Sequence, residues 1–259
     1  MAKRISSLAD LQELRKGIQS TTDPSKRRVI VSGGTCGESR GSVKVYQGFI
    51  DEMKHQGVEG KADLKYTGCH GFCEREPVVL ILPEEICYLG VKPEDVPEIV
   101  SETLVQNKVV ERLTYEDLVT GERSVKESEI PFYKYQSRIV FGKNRFIDPK
   151  SIDDYIAIGG YEGLVKALRD MTPEQVLDEV KKANIRGRGG GGFPAGAKWQ
   201  TTRDAPGETK YVIVNCDEGD PGAYMDRSLM EGNPHSVLEG LTIGAYAIGA
   251  HKGFIYVRQ

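Results

Sequence analysis

The sequence predicts an α/β protein of two domains, and three observations carry that expectation. Short β-branched runs such as "RRVIVSGG", "PVVLILPE" and "EICYLGVK" stand between stretches with helical spacing of apolar residues. This periodicity lapses over residues 105–150 and then resumes. A glycine-rich stretch, "IRGRGGGGFPAGAKWQ", lies between a helical pattern and a strand pattern, "KYVIVNCDEGDPG". At 259 residues, 39% hydrophobic and 28% charged, the chain is long enough for two cores and has an ordinary globular composition. Its 38 acids and 35 bases leave a net charge of -3, which argues against binding nucleic acid or an anionic membrane through bulk charge, so any anion site must be local.

In chain order, residues 1–26 hold "MAKRISSLADLQELRKG", a charged amphipathic helix that does not read as an export signal, and no run of about 18 apolar residues follows. Five cysteines without such a signal imply a reducing, cytoplasmic setting, where clustered thiols serve as metal ligands or redox groups. Residues 27–104 form the first domain: the strand from Arg27, a helix with Tyr46, Phe49, Ile50 and Met53 on one face, "ADLKYTG", the two β-rich runs, and a helix opened by Pro93. Residues 105–150 read as a surface linker. Residues 151–259 form the second domain. Its opening segment gives two helices, the second with Thr172 as N-cap, Pro173 at the first helical position and Gln175 as capping-box partner. The glycine loop follows, then the "KYVIVNC" run as a buried strand, an acidic turn, a small-residue helix "VLEGLTIGAYAIGA" packed closely on a neighbour, and the strand "GFIYVRQ".

Gly187, Gly189 and Gly192 match G-x-G-x-x-G, but a helix precedes them where a dinucleotide fingerprint needs a strand. A Walker loop fails too: Gly191 and Gly196 have its interval, yet Lys198 falls one residue late and Trp199 follows it. What remains is physical. Consecutive glycines let backbone N–H groups approach a phosphate or a flat ring, and Arg186, Arg188 and Lys198 supply local positive charge. Asp217, Glu218 and Asp220 form an acidic turn without EF-hand spacing. Cys36 in one turn and Cys69 with Cys73 in another can converge on a metal, since thiolates select zinc or an iron–sulfur cluster. Ser32 is a candidate oxygen ligand; zinc held by these thiols and a histidine, or an empty site, are the alternatives. Cys87 and Cys216 read as buried structural thiols, and His55, His70 and His235 as residues without a ligand or catalytic role.

The motifs "IRGRGGGGFPAGAKW" and "NCDEGDPGAYMDR" resemble those of the flavoprotein subunit of respiratory complex I and its relatives in NAD-linked hydrogenases and formate dehydrogenases, some of them electron-bifurcating. The first domain resembles thioredoxin-like 2Fe-2S ferredoxins, fused ahead of the flavoprotein in the hydrogenase branch. The resemblance implies an NAD(P)H-dependent oxidoreductase subunit in which a loop at Gly187, Arg188, Gly189, Gly190 and Gly191 cradles FMN. Phe193 would stack on the nicotinamide nucleotide and Lys198 hold nucleotide or flavin. Asn215, Asp217 and Glu218 would bond the flavin, and Asp220 would contact NAD(H), with no side-chain nucleophile. Cys36, Cys69 and Cys73 would hold a 2Fe-2S cluster, one thiol short of the family's two pairs. Partners would be other iron–sulfur subunits, with no nucleic acid and no membrane insertion. The family's flavin domain continues beyond "GFIYVRQ", which implies an incomplete flavin pocket and an open sheet edge here. The rival readings are a docking or electron-relay piece without flavin, and a zinc-stabilised binding protein.

Overall fold

The computed structural model describes residues 4–258, so the first residues of the expected N-terminal helix and the last of the final strand lie outside it. The chain divides into two compact units, one comprising Thr21–Asp154 with Ser228–Asn233, the other comprising the chain up to Ser20, Tyr155–Arg227 and the chain from Pro234.

The first unit is built on four strands, β1 (Arg27–Ser32), β2 (Ala62–Thr67), β3 (Val79–Leu82) and β4 (Ile86–Tyr88), in the order β2-β1-β3-β4. β1 and β2 run parallel in the register Val29 to Leu64, joined through the helix Ser42–His55, whereas β3 is antiparallel to β1 and forms a hairpin with β4. This is the thioredoxin-like arrangement that the resemblance implies. Because side chains alternate along a strand, Val29 and Val31 with Val79 and Ile81 enter one core, against Val45, Phe49 and Met53 of the helix. Ile30, Leu80 and Leu82 enter another, on the opposite face. That second face corrects the linker expectation: Ile130 and Tyr133 cover it, and Val110 and Leu113 join the first core. A sheet apolar on both faces needs two covers. The buried Glu127, paired with Arg138 at 3.1 Å and with Arg145, fixes the covering segment, and a hairpin of β5 (Tyr115–Glu116) and β6 (Arg123–Ser124) projects from it.

In the other unit the N-terminal helix, Leu8–Ser20, packs on helix Glu162–Asp170 through Arg15, which bonds the Ile156 carbonyl at 2.7 Å and pairs with Glu162. The segment expected as two helices makes three, Ile152–Ala157, Glu162–Asp170 and Pro173–Lys182, because Gly159 and Tyr161 take positive φ (102° and 64°) and break the pattern. Two parallel strands, β7 (Tyr211–Cys216) and β8 (Lys252–Val257), lie beside the helix Pro234–Ile248. The expectation of a buried strand fails for β7: Tyr211 and Ile213 are exposed, as are Phe254, Tyr256 and Val257 of β8. One face of this two-stranded sheet has no cover among the described residues.

Candidate functional site

The glycine loop starts where helix Pro173–Lys182 ends. The capping box holds that helix's other end, Thr172 accepting from the Gln175 amide at 3.3 Å and its own amide donating to Gln175 Oε1 at 2.8 Å. Two backbone bonds close the loop at its base, from Gly187 N–H to the Phe193 carbonyl at 2.9 Å and from Ala195 N–H to the Ile185 carbonyl at 2.8 Å. Arg186 is spent within the loop, donating to the Gly192 carbonyl at 3.1 Å. Gly190 and Gly192 take φ of 95° and 59°, values that side chains resist. A Cβ added at Gly189, Gly190, Gly191 or Gly192 meets no atom within 4 Å, so these glycines border open space. A concavity of about 470 Å³ opens beside them, lined by Asn184, Ile185, Arg186, Gly187, Arg188 and Gly192 together with Ala183. Arg188, Phe193 and Lys198 are exposed.

Gly196 serves another purpose: a Cβ there would stand 2.6 Å from Lys181 Cγ and 3.0 Å from Lys181 Cα, so its absence lets helix Ala195–Asp204 seat on the preceding helix. Trp199 explains the small-residue helix, since a Cβ on Gly244 would lie 3.3 Å from the indole.

At the C-terminal end of β7, Asn215 Oδ1 accepts from Asp217 N–H at 2.9 Å, which turns the chain. Glu218 caps the helix Met225–Gly232, accepting from the amides of Asp226 at 3.0 Å and Arg227 at 3.2 Å. Burial, and secondly the Glu218 charge, push the Asp226 carboxyl above its ordinary range. Asn215, Asp217 and Asp220 are exposed, Cys216 is buried at the strand end, and Gly219 leaves room for the Arg258 guanidinium. His235, at the start of its helix, meets the Tyr161 hydroxyl at 2.7 Å.

In the first unit Cys36 opens the turn after β1, in helix Thr35–Ser39, and Cys69 and Cys73 bracket the turn after β2. The Sγ atoms of Cys69 and Cys73 stand 3.8 Å apart. Two thiolates bound to one tetrahedral ion at about 2.3 Å are about 3.8 Å apart, so this pair has the spacing that a shared metal requires. Gly71, at φ 93°, lets its amide donate to Cys69 Sγ at 3.2 Å. Burial, then the nearby Glu76, push the Cys69 thiol up; burial, then the neighbouring Cys36, do the same for Cys73. Among the described residues no group of three or more His, Cys, Asp and Glu side chains is arranged so that it could hold a metal ion. The donor pair fits; a closed cage is not preformed.

Ser32 is fully buried, and its hydroxyl donates to Glu76 Oε2 and accepts from Val78 N–H at 2.8 Å. Glu76, 2% exposed, is a residue that the sequence reading missed; Cys69 Sγ–H points at its Oε1 across 3.7 Å. The signal was an acid three positions after Cys73, in "CEREP". His70 is buried, its Nε2 on Thr67 at 2.9 Å, and burial, then Arg138 and Arg145, lower its pKa to about 3, so it stays neutral. Cys87 lies inside the sheet, 0% exposed.

The family profile described as the Nuo51 FMN-binding domain matches residues 180–259. The NADP-reducing hydrogenase subunit HndC of Solidesulfovibrio fructosivorans is 54% identical over 125 residues, which is 48% of this chain and 25% of that protein. The alpha subunit of the NAD-reducing hydrogenase HoxS of Cupriavidus necator is 32% identical over 192 residues, 74% of this chain and 29% of that protein. Among solved structures, the thioredoxin-like [2Fe-2S] ferredoxin of Aquifex aeolicus is 31% identical and 99% covered, matching 36% of this chain with a TM-score of 0.33. The chain thus spans about a quarter of the length of the curated relatives it matches. No helix among the described residues is long and apolar enough to cross a membrane. The resemblance read from the glycine loop and acidic turn is borne out: residues 180–259 match the model described as the Nuo51 FMN-binding domain.

Proposed function

We propose that the chain is part of an electron-transfer flavoprotein subunit of an NAD(P)-linked hydrogenase or formate dehydrogenase complex, related to the complex I flavoprotein. The observation that carries the proposal is the glycine loop, pinned at its base by two backbone bonds while a Cβ on any of Gly189 to Gly192 would project into open space. A chain that only needed flexibility would not pin the loop's ends, and one that packed protein there would show contacts at the glycines. The loop, with exposed Arg188 and Lys198 for phosphate charge, would hold FMN, and Phe193 would stack on NAD(H). Asn215 and Asp217, exposed at the end of β7, would bond the flavin, with Asp220 towards the nucleotide; ligands of α/β sheets bind at that end of the strands. Cys36, Cys69 and Cys73 would hold the 2Fe-2S cluster. When bound, FMN takes a hydride and the cluster carries single electrons. The residues' part is to orient and to tune charge, and partner subunits complete the path.

The test is cofactor content. The complex containing this chain is purified anaerobically, and FMN, iron, sulfide and zinc are assayed on one sample. FMN with iron and sulfide assigned to this chain is the expected result. A chain without flavin and iron points instead to a docking role, and zinc alone to a zinc-stabilised module.

A further inference from the structure

The face beside Cys73 carries positive charge that the chain itself does not use. Arg40, Arg75 and Lys92 line one concavity of about 400 Å³, together with the apolar Pro77, Leu89 and Val91, all within the first unit. Arg40 and Lys92 are exposed and Arg75 is half-buried. Elsewhere in this unit bases meet acids: Arg27 pairs with Glu84 at 2.6 Å, Lys65 with Asp154, and Arg138 with Glu127 at 3.1 Å. Among the described residues no carboxylate lies within ion-pair distance of Arg40, Arg75 or Lys92.

The acids close by do not cancel these charges. Glu74 is exposed on the same face, whereas Glu76 is 2% exposed, its Oε2 held by Ser32 and by Val78 N–H at 3.1 Å. Asp95 and Glu98, farther along the chain, are paired with Arg112, at 2.8 Å for Asp95. Three bases less one exposed acid leave the lining at +2, in a chain whose net charge is -3. The face is also held in shape. Arg40 donates to the Glu74 carbonyl at 2.6 Å, which ties the helix of the first thiol turn to the second. Gly90 N–H donates to the Arg75 carbonyl at 2.7 Å and Val91 N–H to the Pro77 carbonyl at 3.1 Å. A preformed frame lowers the ordering cost of docking, and an apolar centre within a charged rim is the make-up of a protein interface.

We propose that the face of Arg40, Arg75 and Lys92 docks an acidic electron-carrier protein, whose carboxylates meet these cations. Charge complementarity selects an acidic partner. Position selects an electron carrier: Glu74 and Arg75 directly follow Cys73, and Arg40 stands four positions after Cys36, so the face adjoins the thiols expected to hold the cluster. The inference rests on the cluster reading above and adds where a carrier meets the chain.

The experiment uses the purified complex, with NADH or NADPH as reductant and two haem proteins of opposite charge as probe acceptors: the acidic soluble domain of cytochrome b5 and the basic cytochrome c. The double variant Arg40→Glu, Lys92→Glu is expected to lower kcat/KM for cytochrome b5 by about tenfold or more, and to leave the rate with cytochrome c unchanged or raised. Arg75 is left in place because its Nε is buried. Rising salt should slow the wild-type reaction with cytochrome b5. Carbodiimide coupling of the wild-type complex to cytochrome b5, mapped by mass spectrometry, should place a link at Lys92, and this arm stands even if the variant fails to fold. A folded variant whose rate with cytochrome b5 is unchanged, a loss equal for both acceptors, or wild-type links only at other lysines overturns the docking face and leaves the cluster reading intact. A wild-type complex in which this chain holds neither iron nor sulfide overturns both.

Discussion

Glu218 meets two demands at once. Its carboxylate neutralises the free amides of Asp226 and Arg227 at the start of the helix Met225–Gly232, and it belongs to the acidic turn expected to face the flavin. Glu218→Ala leaves those amides without their acceptor and should cost about 1 kcal/mol of stability, measured by denaturant unfolding, whereas Glu218→Gln, which keeps an oxygen, should cost less. Equal stability of Glu218→Ala and wild type would deny the capping role. At this scale the three thiols were legible because cysteine is rare and its pairing in turns is specific. Glu76 was not, because one acid among 38 carries no mark until the fold brings Ser32 and Cys69 to it. Ser32, the candidate oxygen ligand, donates a hydrogen bond to Glu76.

Among the elements, the glycine loop separates two uses of glycine that look the same in sequence. At Gly191 an added Cβ meets nothing of the chain and φ is not positive, so Gly191→Ala should change stability by less than about 0.5 kcal/mol. It should nonetheless weaken FMN retention about tenfold, equivalent to about 1.4 kcal/mol, read by flavin fluorescence of the purified complex. At Gly196 a Cβ would press on Lys181, so Gly196→Val should destabilise the fold by about 1–3 kcal/mol, read by thermal unfolding. The reverse pattern would mean that the loop is a packing device. The strands of the first unit and the Thr172 capping box could be read from local pattern, since period and cap chemistry are local. The cover of the sheet's second face could not: Ile130 and Tyr133 are scattered apolar residues in a charged stretch, and only the two-faced burial of Ile30 and Leu80 explains them. The break at Gly159 to Tyr161 was likewise hidden within a continuous helical periodicity.

Over the whole molecule, a near-balanced charge leaves recognition to local sites. Among the described residues nothing covers Ile213, Phe254 and Tyr256 on one face of the β7–β8 pair. The central claim is that nicotinamide reduces a flavin held by the glycine loop and that the electrons reach the cluster. The measurement that tests it most directly is an anaerobic titration of the purified complex with NADH and with NADPH, followed in the visible spectrum and by electron paramagnetic resonance. The account predicts that one of the two nucleotides bleaches the flavin band and brings up the signal of a reduced 2Fe-2S cluster, and that the signal is lost in a Cys69→Ala, Cys73→Ala complex that still reduces flavin. A flavin band unmoved by either nucleotide, or a cluster signal that survives loss of both cysteines, would contradict it.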